Sequence, residues 1–178
     1  MSLRLSQYPG MHIRGAQPAD VPAIQAMIRE LAAFERAPDA VLGTEADLHA
    51  ALFTAEKSGG SGPAAFALVV DLAAPGEPAE LAAFALWFLN YSTWLGRHGL
   101  YLEDLYVRAD RRGRGYGAAL LSALARICVE RGLGRFEFSV LDWNTPALDF
   151  YRARGAEALS EWTVQRVTGD ALIRLARS

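Results

Sequence analysis

A glycine-rich segment flanked by arginines joins a predicted strand to a predicted helix and has the composition of an anion-binding turn. It reads Arg112-Gly113-Arg114-Gly115-Tyr116-Gly117-Ala118. The first backbone N–H groups of a helix have no intrahelical partner, and glycine lets an anion approach the main chain closely. The helix dipole and nearby arginines add favourable charge, each worth about 0.3 to 2 kcal/mol. The segment therefore predicts a site for a phosphate or diphosphate group.

Other phosphate-binding motifs fit this segment less well. A Walker loop ends in Gly-Lys-Ser/Thr, and a Rossmann fingerprint has two residues between its second and third glycines, where this chain has one between Gly115 and Gly117. Glu137 lies near the offset of a ribose-binding acid, but the preceding hundred residues do not fit a dinucleotide fold. From the glycines alone, a tight turn that merely begins a helix remains an open alternative.

Hydrophobic periodicity predicts a mixed α/β (α+β) domain that spans residues 1–178, with residues 1–10 flexible. The predicted helices cover residues 21–36, 44–52, 115–131 and 145–154. The predicted strands cover residues 12–15, 65–72, 81–91, 100–107, 135–141, 159–167 and 171–175. Thr44 and Asp47 resemble a capping box at the start of the second helix. This order predicts a mostly antiparallel central sheet of six to seven strands flanked by about four helices, with one parallel step between residues 107 and 135.

Composition excludes several classes of function. The chain is 52% hydrophobic and 21% charged with a net charge of −2, so no global positive field favours nucleic acid. No apolar stretch predicts a membrane span, and the single cysteine, Cys128, requires no oxidising compartment, so a cytoplasmic location is expected. His12, His49 and His98 lack the spacing of metal ligands, and no metal is expected.

The pattern Arg112-x-x-Gly115-x-Gly117 resembles the acyl-CoA signature of the GNAT superfamily of N-acetyltransferases. Residues 102–107 before it, and residues 142–146 and 150–156 after it, look like the diamine and thialysine acetyltransferase branch. The resemblance implies a GNAT fold, acetyl-CoA as co-substrate, a small-molecule amine as acceptor, and a homodimer. It runs from about residue 13 to residue 162.

The resemblance also implies a set of cofactor contacts. Main-chain groups of residues 105–107 would hold the pantetheine arm, and residues 113–118 would bind the diphosphate. The full implied set is Leu105, Tyr106, Val107, Arg112, Gly113, Arg114, Gly115, Tyr116, Gly117, Ala118, Asn144 and Tyr151.

Two residues carry the chemistry in this interpretation. A primary amine with a pKa near 10.4 is protonated at neutral pH, and Glu103 is the hypothesised acceptor of that proton through water, as the family suggests. Tyr151 is the hypothesised donor of a proton to the departing CoA thiolate. Cys128 faces a predicted helix core and offers no convincing acyl-enzyme nucleophile, so direct transfer is expected.

Acidic and aromatic side chains predict a cationic substrate. The predicted substrate-binding residues are Glu35, Trp94, Asp104 and Trp162, through ion pairing and cation–π contact. Residues 91–94 of this chain are Tyr-Ser-Thr-Trp, whereas the resemblance to diamine acetyltransferases implies Tyr-Asp-Pro-Trp. The carboxylate expected to hold a second ammonium group is therefore absent, which favours a thialysine or lysine-like amino acid over a polyamine. A non-catalytic acyl-CoA sensor and an enzyme that acetylates protein amines remain open alternatives.

Overall fold

A computed structural model describes residues 2–3, 11–54 and 62–178. The chain divides into two compact units, residues 1–139 and 140–178. The strands of the first unit are β1 (Ser2–Leu3), β2 (His12–Gly15), β3 (Phe66–Asp71), β4 (Leu81–Ser92), β5 (Arg97–Val107) and β6 (Phe136–Phe138). Its helices are α1 (Val21–Phe34), α2 (Glu45–Phe53) and α3 (Tyr116–Glu130), and the second unit contains α4 (Thr145–Arg152) and α5 (Gly169–Leu175).

The six strands form one sheet in chain order. Every neighbouring pair is antiparallel except β5 and β6, which run parallel and are connected through α3. The predicted antiparallel sheet with one parallel crossover is therefore confirmed. Within the described residues there are five α-helices where about four were expected, and the two-residue strand β1 was not predicted. Of the first ten residues, for which flexibility was expected, residues 1 and 4–10 lie outside the described part.

A β-bulge interrupts the ladder between β4 and β5. Leu86 lies opposite Asp104, but the next residue, Trp87, lies opposite Leu102. Glu103 is therefore the extra residue on β5, and Asp104 and Leu102 face opposite sides of the sheet because consecutive β4 residues do. A bulge of this kind re-aims side chains and is frequent next to active sites.

The face of the sheet that carries Asp104 is packed by α1 and α2. Phe84 and Tyr106, paired across β4 and β5 on this face, are buried with residues of both helices, among them Ile24, Met27 and Leu48. In α1, Val21, Ile24 and Met27 recur at three-residue steps, so this helix buries one face. The core therefore fixes where α1 ends relative to the bulge.

A polar network connects β2 to the start of α1. The Arg14 guanidinium forms two hydrogen bonds to Asp20, at 2.6 and 2.9 Å, and two to Asp71, at 3.1 and 2.8 Å. Asp20 is only 3% exposed, and a buried carboxylate is tolerated only when it is paired. This network positions α1 on the sheet.

The local helix signals were largely correct. Thr44 Oγ1 accepts a hydrogen bond from the Asp47 N–H at 3.2 Å, and the Thr44 N–H donates to Asp47 Oδ2 at 2.9 Å, which confirms the predicted capping box. The four helices predicted before residue 155 all form, with ends within a few residues of those expected.

The two strands predicted at residues 159–167 and 171–175 are wrong. The first segment has no regular structure, and the second lies within α5. Short apolar runs fit a strand or a helix equally well, and the alanine, leucine and arginine residues of α5 are good helix formers. Asp170 in its first turn and Arg174 in its last turn also match the helix dipole. No residue from 157 to 178 is buried, so burial against a partner strand does not override this preference.

Candidate active site

The turn between β5 and α3 requires glycine and leaves backbone donors open. Gly113 and Gly115 have φ angles of 75° and 83°, in the left-handed region that other residues adopt only with strain. Gly115 is the N-cap of α3 and contributes no side chain to the cap. The first bond of the helix runs from the Ala119 N–H to the Gly115 carbonyl at 3.0 Å. The N–H groups of residues 116–118 are therefore left for an external acceptor.

Two of the four clustered arginines stabilise the protein itself. Arg108 pairs with Glu30 on α1 at 3.0 Å, and Arg111 pairs with Glu80 at 2.6 Å. These contacts hold the loop after β5 against its neighbours. They also neutralise half of the predicted basic cluster.

The other two arginines lie closer to the glycines. The Arg112 Nε donates to the Val107 carbonyl at 3.2 Å, and its guanidinium lies 5.0 Å from the Phe34 ring and 5.5 Å from the Tyr106 ring. Arg112 is thereby held against the end of α1. Arg114 forms no ion pair with any residue in the described ranges. Its charge is available to an anion at the start of α3.

The edge of β5 beside the turn is open. The β5–β6 ladder pairs only Leu100 with Phe136, Tyr101 with Glu137 and Leu102 with Phe138. β5 continues to residue 107, whereas β6 ends at residue 138. Within the described part of the chain, backbone groups of residues 103–107 on that side meet no strand. An extended chain that carries amides can occupy such an edge by β-strand addition.

Three carboxylates lie close together at the bulge. Burial, together with the charges of Glu103 and Glu35, raises the pKa of Asp104 to about 6. Partial desolvation also raises the pKa of Glu35, which caps the C-terminus of α1. Glu103 is exposed at the bulge. The structure therefore brings together three of the predicted residues in a site that favours a cation.

In the second unit, α4 carries Asn144 and Tyr151. Asn144 is the N-cap of α4, and its Oδ1 accepts a hydrogen bond from the Ala147 N–H at 3.3 Å. Burial raises the pKa of Tyr151 to about 12, so its hydroxyl stays protonated at neutral pH. Its ring packs edge-on against Phe150, with centroids 5.1 Å apart.

The two predicted aromatic substrate residues lie on the surface. Trp94 is 86% exposed in the turn between β4 and β5, and Trp162 is 69% exposed in the second unit. A β-strand rises by roughly 3.3 Å per residue. Arg97, at the end of β5 next to the turn, is seven residues from Asp104, so the two lie roughly 23 Å apart. Trp94, in the turn before Arg97, therefore lies at the opposite end of β5 from Asp104.

One polar cluster on the same sheet was not predicted from the sequence. Asn90 Nδ2 donates to Glu137 Oε2 at 2.7 Å, and Arg135 Nε lies 2.8 Å from the same oxygen. The signal for it was the alternation Phe136-Glu137-Phe138, which places a carboxylate on one face of a strand and two aromatic rings on the other.

The described residues give no sign of a metal centre or a membrane span. No group of three or more His, Cys, Asp or Glu side chains in residues 2–3, 11–54 and 62–178 could hold a metal ion. No helix in those same ranges is both long enough and apolar enough to cross a bilayer.

Comparison with known proteins points to one family. Residues 55–156 match the Acetyltransferase (GNAT) family. A thialysine N-epsilon-acetyltransferase of Bos taurus is 38% identical over 92% of this chain and 96% of its own length. An L-ornithine N5-acetyltransferase of Arabidopsis thaliana is 34% identical over 90% of this chain and 85% of its own length.

Solved structures share the fold at lower identity. An integron cassette protein of V. cholerae superimposes with a TM-score of 0.73 at 22% identity, over 95% of this chain and 99% of that protein. An aminoglycoside acetyltransferase from an uncultured soil metagenomic sample gives a TM-score of 0.67 at 17% identity, over 89% and 95% of the two chains. At these identities the likeness shows the fold alone.

Proposed function

Because the chain belongs to the GNAT acetyltransferase family, we propose that it transfers the acetyl group of acetyl-CoA directly to the primary amine of a small cationic molecule. The observation that carries the proposal is the turn at Gly113 and Gly115 with its open backbone donors, which follows the strand that bears Glu103 and Asp104. One strand thus connects a site for a diphosphate to a site for an amine.

The residues present fit acetyl-CoA. The N–H groups of Tyr116, Gly117 and Ala118 would bind the diphosphate, with charge from Arg112 and Arg114. Main-chain groups of residues 105–107 would pair with the amides of the pantetheine arm along the open edge of β5. Asn144 would contact the cofactor through Nδ2, since its Oδ1 caps α4. When bound, acetyl-CoA supplies a reactive thioester carbonyl and a thiolate leaving group.

Glu103 is proposed as the base. Deprotonating an amine with a pKa near 10.4 at neutral pH costs roughly 4 kcal/mol, so a proton acceptor must be nearby. The bulge makes Glu103 an unpaired, exposed position where a water molecule can relay the proton. Asp104 and Glu35 would hold the incoming ammonium group by charge.

Tyr151 is proposed as the acid. Its raised pKa means that the hydroxyl oxygen, Oη, holds its proton at neutral pH, so a proton is present there to donate. The departing thiolate of the cofactor would accept this proton. Direct transfer needs no enzyme nucleophile, and the pKa of the buried Cys128 thiol is raised by burial, which disfavours the reactive thiolate.

Several features of the sequence favour a lysine-like amino acid as acceptor. Residues 91–94 lack the carboxylate expected of diamine acetyltransferases, and the relatives include proteins named for thialysine and for ornithine. Trp162 would contact the alkylammonium group, and Trp94 would act only at the far end of the site. The homodimer and the cytoplasmic location stay predictions.

A panel of free amines assayed with acetyl-CoA by thiol release tests this function. The panel contains thialysine, L-lysine, L-ornithine, spermidine and a lysine-containing peptide. We expect thiol release with the amino acids and a higher kcat/KM for thialysine than for spermidine. No release with any amine would refute the transferase, a clear preference for spermidine would refute the specificity, and turnover of the peptide alone would favour acetylation of protein amines.

The pKa of Asp104 makes substrate binding depend on pH. Its folded-state pKa of about 6 lies above the ordinary value, so the carboxyl is neutral at pH 5 and ionised at pH 7. We expect KM for a cationic amine to rise as pH falls through 6, measured by initial rates between pH 5 and pH 8. Asp104→Asn should raise KM at pH 7 and remove the rise in KM between pH 7 and pH 5.

Thermal unfolding provides the control for this variant. A raised carboxyl pKa means that ionisation of Asp104 opposes folding at neutral pH, so Asp104→Asn should unfold at no lower temperature than the wild type. A KM that stays level through pH 6 in the wild type would remove Asp104 from substrate binding.

A further inference from the structure

A polar cluster lies on the sheet face beyond the end of α1. Glu137 of β6 is engaged by Asn90 of β4 at 2.7 Å and by Arg135 at 2.8 Å, both through its Oε2 atom. Asn90 Oδ1 is buried and accepts no hydrogen bond from the described residues. The cluster therefore contains a carboxylate, a guanidinium and an unused acceptor within a few ångströms.

Gly99 makes this arrangement possible. A Cβ atom at this position would lie 2.5 Å from Asn90 Oδ1 and 2.6 Å from Arg135 Cγ, closer than real contacts allow. The two side chains thus close over the backbone of β5 because residue 99 has no side chain. Its φ angle is not in the left-handed region, so the need for glycine here is steric.

The cluster shares a sheet face with the acidic residues of the proposed site. Leu86 and Phe88 are two apart on β4 and face the same side, and they lie opposite Asp104 and Tyr101. Glu137 lies beside Tyr101 in the parallel ladder, which places it on that face as well. The Phe88 and Tyr101 rings, with centroids 5.1 Å apart, lie between the bulge and the cluster.

The spacing matches the length of a diamino acid. Tyr101, the neighbour of Glu137, precedes Glu103 by two residues, or roughly 7 Å along the strand. The five bonds between the terminal nitrogen and the α-carbon of lysine span roughly 6 Å in extended form. β6 lies roughly 4.8 Å to the side of β5, a gap that the Glu137 side chain can span. An amine at Glu103 would therefore place the α-carbon within reach of the Glu137 side chain.

We propose that Arg135 and Glu137 bind the α-carboxylate and the α-ammonium group of a diamino acid whose distal amine is acetylated. The inference rests on the proposed function and names its substrate class. Arginine binds carboxylate in a fork geometry, and the Glu137 carboxylate accepts hydrogen bonds from an ammonium group. The Phe88 and Tyr101 rings pack against the methylene groups between the two ends. A diamine of the same length carries no carboxylate for Arg135 to bind, so the cluster selects amino acids.

The test compares L-lysine with 1,5-diaminopentane, which has the same chain without the carboxylate. In Arg135→Gln, kcat/KM for lysine should fall by about tenfold or more, the effect of a lost charge-assisted hydrogen bond, while the value for the diamine stays within about twofold. Glu137→Gln should weaken both substrates, because each carries a second ammonium group. Arg126→Gln on α3, at a distance from the cluster, is the matched charge control and should change neither.

Two further variants distinguish a loss of substrate recognition from a loss of folding. Gly99→Ala removes no charge but displaces Asn90 and Arg135, and it should reduce the preference for lysine as Arg135→Gln does. Arg135→Lys keeps the positive charge but lacks the planar guanidinium that binds a carboxylate through two hydrogen bonds. Its preference for lysine over the diamine should lie between those of the wild type and Arg135→Gln. Thermal unfolding of each variant reports on the fold.

The possible failures are distinguishable. If the wild type acetylates neither substrate, the proposed function and this inference both fall. If the wild type acetylates both, and Arg135→Gln lowers both equally or leaves their ratio unchanged, only the inference falls, and the cluster serves to tie β4 to β6.

Discussion

Replacing Tyr151 by phenylalanine is expected to lower kcat by about 10²- to 10⁴-fold, the usual contribution of a positioned general acid. Only the hydroxyl is removed, and the ring that packs against Phe150 is retained. The pKa of about 12 keeps the proton on Tyr151 at neutral pH, so the wild type has an acid to give and the variant does not. Steady-state kinetics with saturating amine measure the effect.

Acetyl-CoA affinity separates this role from a structural one. It should be nearly unchanged in Tyr151→Phe, because the proton is needed only as the thiolate departs. Tyr91→Phe is the matched control, since Tyr91 is 55% exposed and packs edge-on to His98. An undiminished kcat in Tyr151→Phe would remove Tyr151 from the mechanism.

The second large effect is expected at the turn. Gly115→Val should weaken acetyl-CoA binding by about a hundredfold or more, because at least two hydrogen bonds to the diphosphate, each worth about 1.5 to 3 kcal/mol, are lost. Gly115 has a φ angle of 83°, which a β-branched residue adopts only with strain, so the first turn of α3 must shift. Isothermal titration calorimetry with acetyl-CoA measures the change.

Gly132→Val is the control for backbone strain. Gly132 follows the other end of α3 with a φ angle of 62°, and no atom lies within 4 Å of its ideal Cβ position. Its substitution therefore carries a similar conformational penalty without touching the diphosphate site. Equal losses of affinity in the two variants would show that strain, and not the lost backbone donors, explains the effect.

Much of the fold could be predicted from the sequence because its signals are local. The apolar spacing in α1 and α3, the capping box at Thr44 and the buried runs of β4 and β5 each specify one element. The C-terminal segment failed because residues 159–175 are exposed, and short exposed runs do not distinguish a strand from a helix. Only the contacts of the folded chain decide such a segment.

The site was predictable in part for the same reason. The glycines at 113 and 115 and the pair Glu103-Asp104 stand in one stretch of sequence, and their residue types indicate their chemistry. The bulge at Glu103, which sends Asp104 to the α1 face, depends on the register of β4 and could not be predicted. The cluster at Asn90 joins two strands that are far apart in sequence, and only the sheet brings them together.

Binding of acetyl-CoA to the wild-type protein, measured by isothermal titration calorimetry without any amine, tests the central claim most directly. The open donors of residues 116–118 and the unpaired edge of β5 predict saturable binding of one molecule per chain, weakened by about a hundredfold or more in Gly115→Val. Absence of any saturable heat at millimolar acetyl-CoA would contradict the account, and the acidic residues at the bulge would then need another explanation.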